Sequence, residues 1–311
     1  MSDIIKKLPY PIAGLMLACA TLGNLLASYG EIYRYFFGAI SACILVLIVA
    51  KLIIMPKSLM AAFENPVLAS VLPTFSMGLM VLSTYISSFN FLASMLWFFA
   101  ILIHLLLIFV FTKKYIFNFN IKAVFPSYFV VYVVIVVASI SAPALGHQNI
   151  GQYLFWFGLL SYLILLPIVL YRVVKIKSMP PPALPTFVIL TAPASLCLAG
   201  YISSFPHPNN VLISFLAGLA FVMLGAVATK MPPLLKSEFY PSYSAFTFPF
   251  VITAVAFKGL AAMSGFYGLI IFAMVLEVWA ALIVIYVLCR YMMYLLSIEF
   301  PIVKSKKNQA S

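Results

Sequence analysis

Long apolar runs, broken by short polar stretches, recur from one end of the chain to the other, and inside them apolar and polar positions do not alternate. Runs such as "LVLIVAKLIIM" (45–55) and "YFVVYVVIVVA" (128–138) lack the two-residue period of a transmembrane barrel strand. Segments near 20 apolar residues read as membrane-spanning helices, because a helix satisfies its own backbone hydrogen bonds where there is no water to do so. The breaks delimit ten spans: 9–28, 33–55, 66–86, 90–112, 125–145, 151–174, 184–203, 209–231, 241–261 and 265–296.

Proline opens each odd span, at Pro9, Pro66, Pro126, Pro185 and Pro241, with separations of 57, 60, 59 and 56 residues. A near-constant period of this size indicates five copies of one helix pair. Proline at a first turn forfeits no hydrogen bond. Pro73, Pro193 and Pro249 fall deeper in their spans, where a missing donor and a ring clash bend a helix, so they are expected to kink the odd helices. The expected fold is an all-α integral membrane protein: ten transmembrane helices forming five hairpins in quasi-five-fold arrangement around a central pore. Bent odd helices would line the pore and straighter even helices would face outward. A bundle of duplicated hairpins without a central path is the alternative that the repeat leaves open.

Composition supports the membrane reading. The 311 residues are 65% hydrophobic and 8% charged, with a mean hydropathy of +1.17, whereas soluble domains carry about 25% charged residues. The net charge of +12 is unevenly placed: sixteen of the eighteen Lys and Arg follow the even spans or lie in the tails, leaving Arg34 and Lys258 at the other side. By the positive-inside rule both termini are cytoplasmic and the protein is multi-pass in the cell membrane. The charge thus reads as topology and contact with anionic lipid, not as nucleic-acid binding. The expected divisions are a tail over 1–8, a ten-helix channel domain over 9–298 and a tail over 299–311. The apolar stretch after Lys6 and Lys7 offers no convincing cleavage site, so a retained first span is expected.

Catalytic patterns are scarce: there is no HExxH, GxSxG or glycine-rich phosphate loop, and no enzyme, cofactor or metal site is expected. Cys19, Cys43, Cys197 and Cys289 are scattered without metal-ligand spacing, and His104, His147 and His207 read as structural. Of six carboxylates only Glu277 lies well inside a span. It is either a proton relay or a carboxylate paired with Lys258 on the preceding span. Hydroxyls gather on the odd spans, among them Thr74, Ser195 and Ser244. Such a lining could hydrate a path without holding an ion tightly. With few acids near the path, an anion is the expected cargo.

The stretches "NPVLASVLPTFSMGLM" (65–80), "FPSYFVVYVVIVVASISAPALG" (125–146), "PTFVILTAPASLCLAGYIS" (185–203) and "SAFTFPF" (244–250), in this order and spacing, resemble the tellurite-resistance/dicarboxylate transporter family. That family includes the TehA-like bacterial proteins and the slow-type anion channels of plant guard cells. The resemblance covers nearly all of residues 8–298. It implies ten helices around a pore in each subunit of a homotrimer, with a phenylalanine on the ninth helix occluding the pore; the matching residue is Phe248. Pro73, Pro193 and Pro249 match the family's bent inner helices, whereas the first odd span has only Pro9 and Pro11 near its start and the fifth has Pro143 near its end.

Helical geometry separates the rings of "SAFTFPF". Phe246 and Phe250 are four apart and share a face with Thr253 and Phe257, a packing face. Phe248 lies about 200° round from Phe246, in line with Ser244, Ile252, Val255 and Gly259, a slimmer face that suits a plug. The expected function is a gated channel for small monovalent anions. A carrier for a dicarboxylate or a sulfur or tellurium oxyanion, with proton coupling through Glu277, is the alternative. A membrane scaffold with a vestigial pore is the third reading.

Overall fold

The computed structural model describes residues 2–177 and 179–297. The tail expected over 299–311, with Glu299, Lys304, Lys306 and Lys307, lies outside them, as does residue 298 of the expected channel domain. Among the described residues the secondary structure is helical throughout, without strands. Ten main helices succeed one another: α1 (Ile12–Leu26), α2 (Glu31–Ile54), α3 (Thr74–Ser83), α4 (Asn90–Phe111), α5 (Val136–Ser141), α6 (Gln148–Tyr171), α7 (Ala192–Ser204), α8 (Asn210–Ala228), α9 (Phe248–Ser264) and α10 (Tyr267–Leu296). At 1.5 Å per residue the 24 residues of α2 reach about 36 Å, enough to cross a hydrocarbon core.

The two helix classes differ as the repeat suggests. Even helices are continuous, and α6 runs unbroken through Pro167. Odd helices from α3 onward are preceded by a separate lead-in: Pro66–Val71 before α3, Tyr128–Tyr132 before α5, and 3-10 turns over Pro181–Thr191 and Pro241–Phe246 before α7 and α9. Asn65 caps the first of these, its side chain accepting from the Val67 and Leu68 amides at 2.9 and 3.2 Å. Pro73, Pro193 and Pro249 do not bend a continuous α-helix. Pro73 and Pro249 stand at or beside the start of an α segment that follows a non-helical residue, and Pro193 is the second residue of α7, where a 3-10 helix passes directly into it.

Nine segments among the described residues are apolar and long enough to cross a membrane, and the fifth span is not one of them because its helix is interrupted. The sequence there reads Val133-Val134-Ile135-Val136-Val137, five β-branched residues with poor helix propensity. A neighbour presses on the same place: a Cβ at Gly158 of α6 would stand 2.9 Å from the Val133 carbonyl oxygen and 2.2 Å from a Val136 methyl. Only glycine lets the two backbones approach this closely. Small residues of this kind are what holds helices together in lipid, where association gains nothing from the hydrophobic effect.

The contacts between helices close a cycle. α1 packs on α3, α3 on α5, α5 on α7, α7 on α9 and α9 on α1, while each even helix packs on the odd helix before it. Most residues of the odd spans are buried, against a third or fewer in the even spans, whose exposed surfaces carry Phe91, Phe99, Leu106, Phe221 and Val278. Hydroxyl pairs tie odd helices together, with Ser139 and Ser204 joining α5 to α7 at 2.8 Å and Ser195 and Thr253 joining α7 to α9 at 2.9 Å. The Lys7 ammonium donates to the Ser297 hydroxyl at 2.6 Å, so the first and last described segments meet on one side of the bundle, here termed the terminal face.

Candidate functional site

Two cavities lie within the cycle of odd helices. The one nearer the terminal face is small, about 40 Å3, and all five odd spans contribute to it, through Gly14, Thr74, Met77, Val133, Leu196 and Ser244 among others. The one nearer the opposite face is a vestibule of about 550 Å3, walled by the later parts of spans one, three, five and nine. Among the described residues Phe248 is the single one that lines both. Its ring is 6% exposed and stands at the first turn of α9, immediately after the break at Thr247. The Thr247 hydroxyl donates to the Ser244 carbonyl at 2.6 Å, which holds the break closed beside the ring.

The three phenylalanines of this stretch are placed differently. Phe246 packs edge-on against Tyr243 with ring centroids 4.8 Å apart, and Phe250 meets Trp279 of α10 perpendicularly at 5.8 Å. Both are buried between elements, whereas Phe248 projects between the cavities. Ile252, Val255 and Gly259 follow Phe248 along the vestibule wall, and Ser244 and Thr74 line the smaller cavity. Ser195 is placed elsewhere. It lines neither cavity and is spent on the bond to Thr253 and on the Thr191 carbonyl at 2.9 Å.

The hydroxyls of the odd spans mostly donate back into their own helix. Thr21 bonds the Leu17 carbonyl at 2.8 Å, Thr74 the Val71 carbonyl at 2.7 Å and Thr186 the Ala183 carbonyl at 2.6 Å. Their protons are therefore not turned toward the cavities, and the wall around Phe248 is apolar.

Charge is concentrated instead in the vestibule. Arg34 and Lys258, which among the described basic residues stand apart from the terminal face, both line it. The Lys258 ammonium meets the Glu277 carboxylate at 2.8 Å and donates to the Leu25 carbonyl at 3.0 Å and the Ser28 hydroxyl at 2.8 Å. Glu277, 4% exposed, also accepts from the Tyr29 hydroxyl at 2.6 Å. The carboxylate is thus paired with Lys258 on the preceding span. Arg34 is held by the Asn24 side-chain oxygen at 3.1 Å and the Thr84 carbonyl at 2.9 Å, and its guanidinium lies 5.1 Å from the Tyr85 ring centroid.

The profile of SLAC1, voltage-dependent anion channel, matches residues 8–292, a stretch that contains every main helix but the last residues of α10. The chain belongs to the SLAC1 family. It is therefore a multi-pass membrane protein of an anion channel and transporter family. A search of curated proteins finds no match. Within the SLAC1 fold of this chain, Arg34 is the residue that reading the sequence by segments overlooked. Its signal was visible as a solitary basic residue on the side poor in positive charge, but its position in the vestibule wall depends on the packing of α2 against α1 and α3.

His104 illustrates the opposite case. It is fully buried on the even helix α4, where Nδ1 meets the Ser76 hydroxyl at 2.9 Å and Nε2 the Val131 carbonyl at 3.2 Å. These bonds bridge three helices and spend both ring nitrogens. The residue stands outside the walls of both cavities.

Proposed function

We propose that the protein is a gated channel for small monovalent anions, that its path runs through the two cavities, and that the Phe248 ring closes it. The observation that carries this reading is the position of Phe248 as the one residue common to both cavities. The apolar zone beside it favours passage of weakly hydrated anions such as chloride or nitrate over dicarboxylates, since no pair of cations faces the small cavity to hold a second carboxylate. Membership of the SLAC1 family supports anions as the cargo, and the pairing of Glu277 with Lys258 speaks for a fixed charge pair over a proton relay.

The placement of basic residues supports the cell membrane with both termini cytoplasmic, the terminal face being the cytoplasmic one. The broad apolar exposure of the even helices suits contact with lipid and with neighbouring subunits of a homotrimer.

Planar-bilayer recording of the purified protein tests the reading. Phe248→Ala is expected to raise chloride and nitrate current by about tenfold, equivalent to about 1.4 kcal/mol of barrier. A current unchanged by this substitution, with the variant folded and inserted, would remove the gate assignment. Saturable flux without channel-like currents in both forms would indicate a carrier.

A further inference from the structure

Two cations line the vestibule, and a buried carboxylate outside its lining pairs with one of them, so their bonding is unequal. Lys258 has three acceptors within 3.0 Å, one of them the Glu277 carboxylate, so its three donors are occupied and its charge is matched. Glu277 in turn is fixed from a second side by Tyr29, and Tyr29 lies beneath the ammonium, with Lys258 Nζ 4.9 Å from its ring centroid. The pair is therefore a locked and nearly neutral unit, with Lys258 in the vestibule wall and Glu277 buried outside the lining. Arg34 differs. Hydrogen bonds occupy two of its five N–H groups, and its acidic neighbour Glu31 is 3.6 Å away on an exposed side chain, where solvent screens it.

We infer that Glu277 sets the strength of an anion subsite in this vestibule: by cancelling Lys258 it leaves Arg34 as the one effective positive charge facing a small monovalent anion, which is attracted without being held. The inference rests on the permeation reading above and deepens it. A conducting path needs a site strong enough to gather ions and weak enough to release them. Two uncompensated cations across one water-filled mouth would gather the anion better and release it more slowly. The neutral Lys258–Glu277 unit keeps the structural benefits of the lysine, which caps the Leu25 carbonyl and reaches Ser28, while withholding its charge from the ion.

The experiment uses Phe248→Ala as the conducting parent and chloride as the probe, varied on each side of a planar bilayer in turn. Adding Glu277→Gln keeps a partner for the Tyr29 hydroxyl but frees the lysine charge. It should lower the half-saturating chloride concentration on one side about threefold and reduce the maximal current. Arg34→Gln should raise the half-saturating concentration about threefold on that same side, and Lys258→Gln, which leaves the carboxylate uncancelled, should shift it in the same direction as Arg34→Gln. The double variant Lys258→Gln/Glu277→Gln restores the net charge and should return half-saturation to the parent value. All shifts should shrink as inert salt is raised, because an exposed mouth is screened.

A purely structural carboxylate would alter protein yield or thermal stability in the single variants without this charge-ordered pattern. Conducting variants whose half-saturation does not follow net vestibule charge would overturn the inference while leaving the gate reading intact. Absence of current in the Phe248→Ala parent itself would instead remove the permeation reading and this inference with it. If Glu277→Gln does not reach the membrane, the shift expected of Lys258→Gln and its reversal to the parent value in the double variant still decide the matter.

Discussion

Three residues of similar sequence context separate once their partners are known. Phe246 and Phe250 pack on Tyr243 and Trp279, and Phe248 stands between two cavities. Two hydroxyls that look alike in the sequence separate in the same way: Thr74 lines the smaller cavity, while Ser195 is buried in a bond to Thr253. Ser195→Ala should therefore cost about 1 kcal/mol of stability, the net worth of one such bond, with anion conductance unchanged. Thermal denaturation in detergent together with bilayer current checks both halves, and a marked change in conductance would place the hydroxyl in the path. Which face of α9 carries Phe248, Ile252 and Val255 was legible from the 3.6-residue period. The fate of each hydroxyl was not, because back-bonding, interhelical bonding and cavity lining demand the same residue types.

The breaks in the odd spans are built by two different local causes. In the third, seventh and ninth spans proline marks the junction, but it sits at the start of the following α segment and not within a turn whose hydrogen bond it removes. The break itself lies in the 3-10 or non-helical residues before it, as at Thr247 with φ −89° and ψ −75°. Pro249→Ala should accordingly change stability by less than about 1 kcal/mol and leave the closed state intact, since the restored N–H adds no clash. A large increase in basal current in this variant would show that the proline ring itself aims Phe248. In the fifth span no proline is needed: five consecutive β-branched residues and the close approach of Gly158 interrupt the helix. Proline spacing revealed the repeat and the helix pairs. It could not reveal this fifth break, which arises from helix propensity and from a neighbour some 25 residues away.

At the scale of the molecule, the contacts close into a cycle of odd helices with the even helices outside it, and the cavities follow from that arrangement. The orientation proposed from positive charge has a direct check. In a background with the four native cysteines replaced by alanine, a membrane-impermeant maleimide applied to intact cells should label His207→Cys and spare Lys57→Cys. Both positions are solvent-exposed, and they lie at opposite ends of the bundle. Labelling of Lys57→Cys alone would invert the topology. By itself the sequence determined the helical membrane class, the five-pair repeat and the asymmetry of charge, because each depends on composition or on a period along one chain. Only the tertiary structure decided that Arg34 and Lys258 share a vestibule, that Glu277 pairs with one of them, and that Phe248 stands between the two cavities. Those facts join residues up to about 250 positions apart, and their electrostatic meaning depends on distances of a few ångströms that no local pattern encodes.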